Sequence, residues 1–206
     1  MWCSAHLVPL PELVREIVRL LPEYLPGVST GSAAITEGRS CWIQAWKGLL
    51  TAFGRQYAME ISLHEEGDSG IARQLTLYWK RGDGLMAAFL SGWGDRQELE
   101  RRFQRLETIK APQKVIIYSC VKWQEAVLEQ LQAALLRYPH HITGEQYLAL
   151  NVLGTEKRLA AHCITIPRDG ILNQSDLGLM RPLAGSPFKW GAIMNATQSV
   201  ADSDGA

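Results

Sequence analysis

The chain has no surplus of charge of either sign: 21 lysines and arginines stand against 21 aspartates and glutamates in 206 residues. That balance excludes a global field drawing the protein to nucleic acid or an anionic membrane, so any such surface must be a local patch. Cysteine is scarce. Cys3, Cys41, Cys120 and Cys163 lie far apart with no C-x-x-C pair, which argues against a zinc site and a disulfide-dense secreted scaffold. No run approaches the roughly 18 uncharged apolar residues of a membrane-spanning helix. The opening Met1-Trp2-Cys3-Ser4-Ala5-His6 lacks the basic region of a signal peptide. The expectation is a soluble, cytoplasmic protein with reduced thiols and no membrane association. Its length and 47% hydrophobic content suit one substantial core. Residues 1–170 read as a single α/β domain. Residues 171–206 read as an irregular extension whose last stretch, Ser199 to Ala206, is disordered.

Leu13, Ile17, Leu20, Leu21 and Tyr24 recur at helical spacing and predict a first helix over Leu10 to Tyr24. Small and polar residues from Val28 to Arg39 predict a loop, and the tryptophan-bearing run Ser40 to Leu50 a strand. Another strand is expected over Tyr57 to His64. Gln74 to Lys80 and Leu85 to Trp93 are two β-rich runs around Arg81-Gly82-Asp83-Gly84, a combination that predicts an antiparallel hairpin. Asp95 with Glu98 fits a capping box opening a helix to about Ile109, with Leu99, Phe103 and Leu106 on one face. Val115 to Tyr118 reads as a doubly covered strand, Trp123 to Tyr138 as a helix, and Gln146 to Leu153 and Cys163 to Ile166 as late strands. The order implies a mixed β-sheet flanked by helices.

The hairpin ending in Ser91-Gly92-Trp93-Gly94, the helix containing Phe103-Gln104-Arg105-Leu106 and the strand opening Ala111-Pro112-Gln113-Lys114 together resemble the PD-(D/E)XK nuclease superfamily. They are most similar to members whose hairpin ends in Glu-Ser-Glu-Trp, followed by Phe-x-Lys-Leu and Ala-Pro-x-Lys. The resemblance implies a restriction-endonuclease-like fold. It also implies where catalytic residues belong: an aspartate on the first hairpin strand, and two residues spaced by one on the second, sharing a face and holding magnesium. Here those positions are Gln74 (or Leu75), Leu90 and Gly92. None carries a carboxylate, so no catalytic residues, metal or cofactor are expected.

The reading is therefore a catalytically degenerate nuclease-like domain acting as a binding or interaction module for a protein partner or nucleic acid, not an enzyme. The surface proposed for that role is Arg96, Arg101, Arg102, Arg105, Lys110 and Lys114, weighed against a solvated helix face neutralised by Glu98, Glu100 and Glu107. The alternative is an active magnesium-dependent nuclease with relocated acids, Glu60 with Asp83 or Asp95. A third reading is an unrelated α/β enzyme using Cys120 or Cys163. His140-His141 lack partners at metal spacing and read as ordinary loop histidines. The seven tryptophans, and Phe188-Lys189-Trp190 above all, are candidates either for partner contact or for packing back on the core.

Overall fold

The computed structural model describes residues 7–24, 35–66, 74–92, 96–120, 124–153, 158–167, 181–182 and 188–189. Helices α1 (Leu10–Tyr24) and α2 (Ile35–Gln56) precede a meander of β1 (Glu60–Glu66), β2 (Gln74–Arg81) and β3 (Gly84–Gly92). Then follow α3 (Arg96–Thr108), β4 (Gln113–Tyr118), α4 (Gln124–Arg137), β5 (Gln146–Leu153) and β6 (Arg158–Thr165). Two short strands, β7 (Arg181–Pro182) and β8 (Phe188–Lys189), pair with β6.

Strands β1 to β7 lie side by side in chain order, and β8 joins beside β6. Pairing is antiparallel for β1–β2–β3, parallel for β3–β4–β5 and antiparallel again for β5–β6. The mixed sheet is as the sequence predicts, and its cause is chain economy. A tight turn joins the antiparallel neighbours β2 and β3, and the helices α3 and α4 carry the chain back to start parallel strands.

Alternation along each strand divides the core in two. Leu75, Leu77, Trp79, Phe89, Val115, Ile117, Leu148 and Leu150 face α1 and α2. Ala88, Leu90, Ile116, Tyr118, Tyr147 and Ala149 face α3 and α4. β4 is buried at all six positions, as expected for a strand covered on both faces.

Two expectations fail together. From Ile35 on, the residues read as loop and then strand form the continuous helix α2, because Ile43, Trp46, Leu50 and Phe53 repeat at intervals of three and four and line one buried stripe; residues 28–34 of the expected loop lie outside the described residues. Its glycines mark close approaches. A Cβ on Gly54 would lie 2.6 Å from Trp79 Nε1 and 2.5 Å from Ile61 Cδ1. The helix ends in a Schellman motif: Met59 N–H bonds to Gly54 O (2.9 Å) and Ala58 N–H to Arg55 O (3.0 Å), with Ala58 at φ 53°. That turn delays β1 to Glu60, three residues past its expected start. The β2–β3 turn has Gly82 at φ 54°, the sign a primed hairpin turn asks of its first residue.

β8 returns part of the C-terminal segment to the sheet, pairing Phe188 with Leu159 and Lys189 with Arg158. Trp190 and Ser199 to Ala206 lie outside the described residues, as do Trp93 and Asp95.

Candidate functional site

The β2–β3 register pairs Thr76 with Leu90, which brings Gln74, Leu90 and Gly92 to one end of one sheet face, beneath α3. The space there is filled. Gly92 lies under Leu99, whose Cδ1 would stand 2.7 Å from a Cβ at that glycine. Leu90 is core, and the Gln74 amide donates to Glu98.

Between the strands sits the side chain of Arg102, 4% exposed. Its Nε donates to Ser91 O (3.0 Å), and its Nη2 to Leu75 O and Thr76 Oγ1 (both 2.8 Å). Ser91 Oγ accepts from Leu75 N–H at 2.8 Å, closing the knot. A buried guanidinium persists only when its donors are matched, and here backbone carbonyls at the two strand ends supply the acceptors. The strand end thus already carries one fixed positive charge.

Two of the alternative acids, Glu60 and Asp83, lie elsewhere on the same face. α3 packs on β3 and β4, and β1 and β2 beyond it form an open hollow of about 490 Å³. Glu60, His64, Tyr78, Lys80, Asp83 and Leu85 are among its lining residues. Glu60 and Asp83 therefore share a surface, with Lys80 directly opposite Glu60 across the β1–β2 ladder. Asp95 lies outside the described residues. Among the described residues, no three of His, Cys, Asp or Glu converge in a way that could hold a metal ion.

The proposed basic surface is smaller than the sequence suggests. Arg96, Arg101, Arg105 and Lys110 are exposed, while Arg102 and Lys114 are buried, at 4% and 1% exposure. Arg102 stands three residues after Leu99 and four before Leu106, so it belongs to the inward stripe of α3. Lys114 opens the doubly covered strand β4. Of the exposed cations, Arg101 pairs with Glu98 at 2.9 Å, Arg96 donates to Gln130, and Lys110 Nζ reaches His140 O at 3.4 Å. Glu100 accepts from Gln130 and pairs with Arg137 at 3.4 Å. These contacts tie α3 to α4 and spend much of the basic charge internally.

A second polar cluster escapes sequence reasoning. Lys114 Nζ donates to Tyr147 Oη and Glu107 O, both at 2.9 Å, and forms an ion pair with Glu145 Oε2 at 2.9 Å. Tyr147 Oη donates to Glu145 Oε1 (2.8 Å), and the His141 ring, 2% exposed, reaches the same oxygen at 2.7 Å through Nδ1. His141 is thus no ordinary loop histidine. The available signals were its i, i+4 spacing to Glu145 and a lone lysine opening an apolar strand.

Burial lowers the Lys114 pKa, and the charge of Glu145 opposes that shift. Burial alone would raise Glu145, but the His141 hydrogen bond and the Lys114 ammonium outweigh it and hold the carboxyl below its ordinary range. Glu107 is pushed up to about 7, chiefly by burial.

The cysteine reading gains no geometry. His162 and Cys163 occupy successive β6 positions opposite Ala149 and Leu148, and so face opposite sides of the sheet. Burial lowers the pKa of His162 and raises that of the Cys163 thiol, which disfavours a thiolate. Cys120 is half-buried, its backbone clasped by the Asn151 amide at 2.9 and 2.7 Å. No helix among the described residues is long and apolar enough to cross a membrane. No family model matches the chain, and neither does any curated protein.

Proposed function

We propose that this is a restriction-endonuclease-like domain without hydrolytic function, acting as an interaction module for a protein partner. The observation that carries this reading is the filled strand end. Where the resembled nucleases hold metal between carboxylates, Leu90 is core, Leu99 covers Gly92, and the Arg102 guanidinium bonds both strand ends. A resident cation repels a second one, and a closed apolar floor denies water to a scissile phosphate. The order hairpin, helix, parallel strand supports the fold assignment. The internal pairing of Arg101, and the burial of Arg102 and Lys114, favour a protein over nucleic acid.

The test is incubation of the full chain with DNA and RNA in magnesium or manganese. No cleavage is expected, and anisotropy at low salt should detect no duplex or single-strand binding. Binding that weakens with salt and with Arg101→Ala plus Arg105→Ala would transfer the module to nucleic acid. A second reading, relocated catalysis, is favoured by Glu60 and Asp83 lining one hollow. Metal-dependent cleavage abolished by Glu60→Ala would establish it and overturn the first.

A further inference from the structure

The two edges of the sheet differ. At one, β7 and β8 pair with β6, so the chain covers that edge with its own backbone. At the other, β1 pairs with β2 alone among the described residues, in an unbroken register from Glu60 with Lys80 to Glu66 with Gln74. An outer strand presents a row of backbone N–H and C=O groups, which natural sheets blunt with lysine, proline, a bulge or a very short strand. The strand β1, Glu60-Ile61-Ser62-Leu63-His64-Glu65-Glu66, has no lysine, proline or bulge, and its glutamates stand at its two ends.

Its residues divide by face. Ile61 and Leu63 are half-buried and pack on the margin of the α1–α2 core. Glu60 and His64 are exposed on the other face, where both line the hollow, and Ser62 lies between them. His64 stands edge-on to Tyr78, with ring centroids 5.4 Å apart. Neither Glu60 nor His64 has a side-chain hydrogen bond or ion pair among the described residues.

The strand complements its own reverse. Set antiparallel to a copy of itself with Ser62 opposite Ser62, β1 places Glu60 opposite His64 at both ends and Ile61 opposite Leu63 on both sides of the centre. A carboxylate then meets an imidazole, and the half-buried aliphatic margin of one core meets that of the other. A register with Leu63 opposite Leu63 sets Glu60 against Glu66 and Ile61 against Glu65, and such pairs are unfavourable. The opposite step, with Ile61 on Ile61, leaves only Glu60 to Ser62 of β1 in the ladder.

We propose that β1 is a dimerisation edge: two copies of this chain pair their β1 strands antiparallel about a twofold axis at Ser62, making one sheet continuous across both. The occupant is a second copy because a twofold contact asks a surface to be self-complementary, and one register of β1 meets that demand at every position from Glu60 to His64. An arbitrary extended peptide would satisfy the backbone but leave Glu60, Ile61 and Leu63 without matched partners. The pairing joins the two α1–α2 cores at Ile61 and Leu63 and sets the two hollows side by side. This inference is independent of the nuclease-like reading.

Sedimentation equilibrium of the full chain from about 1 µM to 1 mM, the range that so small a contact calls for, should show monomers in equilibrium with dimers. Hydrogen exchange of the parent protein at the two ends of that range should show protection gained within Glu60 to His64. The gain should fall on alternate amides, because every second N–H of β1 already bonds to β2. His64→Glu opposes carboxylates at both ends of the ladder and should raise the dimer dissociation constant about tenfold. Adding Glu60→Arg restores opposite charges in the same register and should bring the constant back to within about threefold of the parent's. A parent that stays monomeric, protection gained only away from β1, or a double variant as weak as His64→Glu would each overturn the proposal. The exchange measurement uses the parent, so it decides the edge even where a variant fails to fold.

Discussion

Glu107 shows what a single buried ionisable residue does to the stability of this fold. Its carboxyl sits at about 7 instead of 4.5 because burial disfavours the anion more than His141, Lys114 and Arg137 favour it. The folded pKa exceeds the unfolded one, so the native state binds more protons between those values. The contribution is fully present below about 4.5 and lost as pH rises through about 7. Glu107→Gln keeps the shape and cannot ionise. At about 1.36 kcal/mol per pKa unit, the variant should gain up to about 3 kcal/mol over the parent at pH 8.5 and little at pH 4.5. Urea unfolding at both pH values checks this, and an equal difference at the two would refute it. Arg102 and Lys114 make the complementary point at the same scale. Their spacing places them on inward faces, but charge argues for the surface, and only the presence of matched acceptors resolves the conflict in favour of burial.

At the scale of elements, α2 and its connection to β1 depend on two small residues with opposite needs. Gly54 allows the helix to lie against Trp79 and Ile61, both within 2.6 Å of where its Cβ would stand. Gly54→Ala should push α2 off the sheet and destabilise the protein by about 2 kcal/mol, as overpacking does. Ala58 occupies the left-handed position of the Schellman turn at φ 53°, where a Cβ is strained. Ala58→Gly should stabilise by about 0.5–1 kcal/mol. Thermal and urea midpoints of the two variants should therefore move in opposite directions, and a shared direction would contradict this account. The composition of α2, with Gly38, Gly48, Gly54 and two tryptophans, explains why it was illegible. Glycine lowers helix propensity and tryptophan raises strand propensity, so local preference misleads where a packed stripe decides. The hairpin, α3, β4, α4 and β5 were legible because a Gly-Asp turn, a 3.6-residue stripe and a short apolar run need no distant partner to be recognised.

For the whole molecule, both hydrophobic cores share one sheet: the same strands β2 to β6 present alternate residues to α1–α2 and α3–α4. Neither layer can leave without exposing strands that the other needs, so unfolding should be a single cooperative transition. Far-UV circular dichroism and tryptophan emission should give coincident urea curves; separated midpoints would show that the helical layers unfold independently. The sequence by itself determined the mixed sheet, the hairpin and the absence of carboxylates at Gln74, Leu90 and Gly92, because turn chemistry, alternation and residue identity are local properties of the chain. Tertiary structure alone decided that Arg102 fills the strand end, that Lys114 and His141 meet around Glu145, and that Glu60 and Asp83 share a hollow. Each of those outcomes depends on which distant groups offer a buried charge its acceptors. That is a matter of three-dimensional neighbours, and spacing along the chain does not encode it.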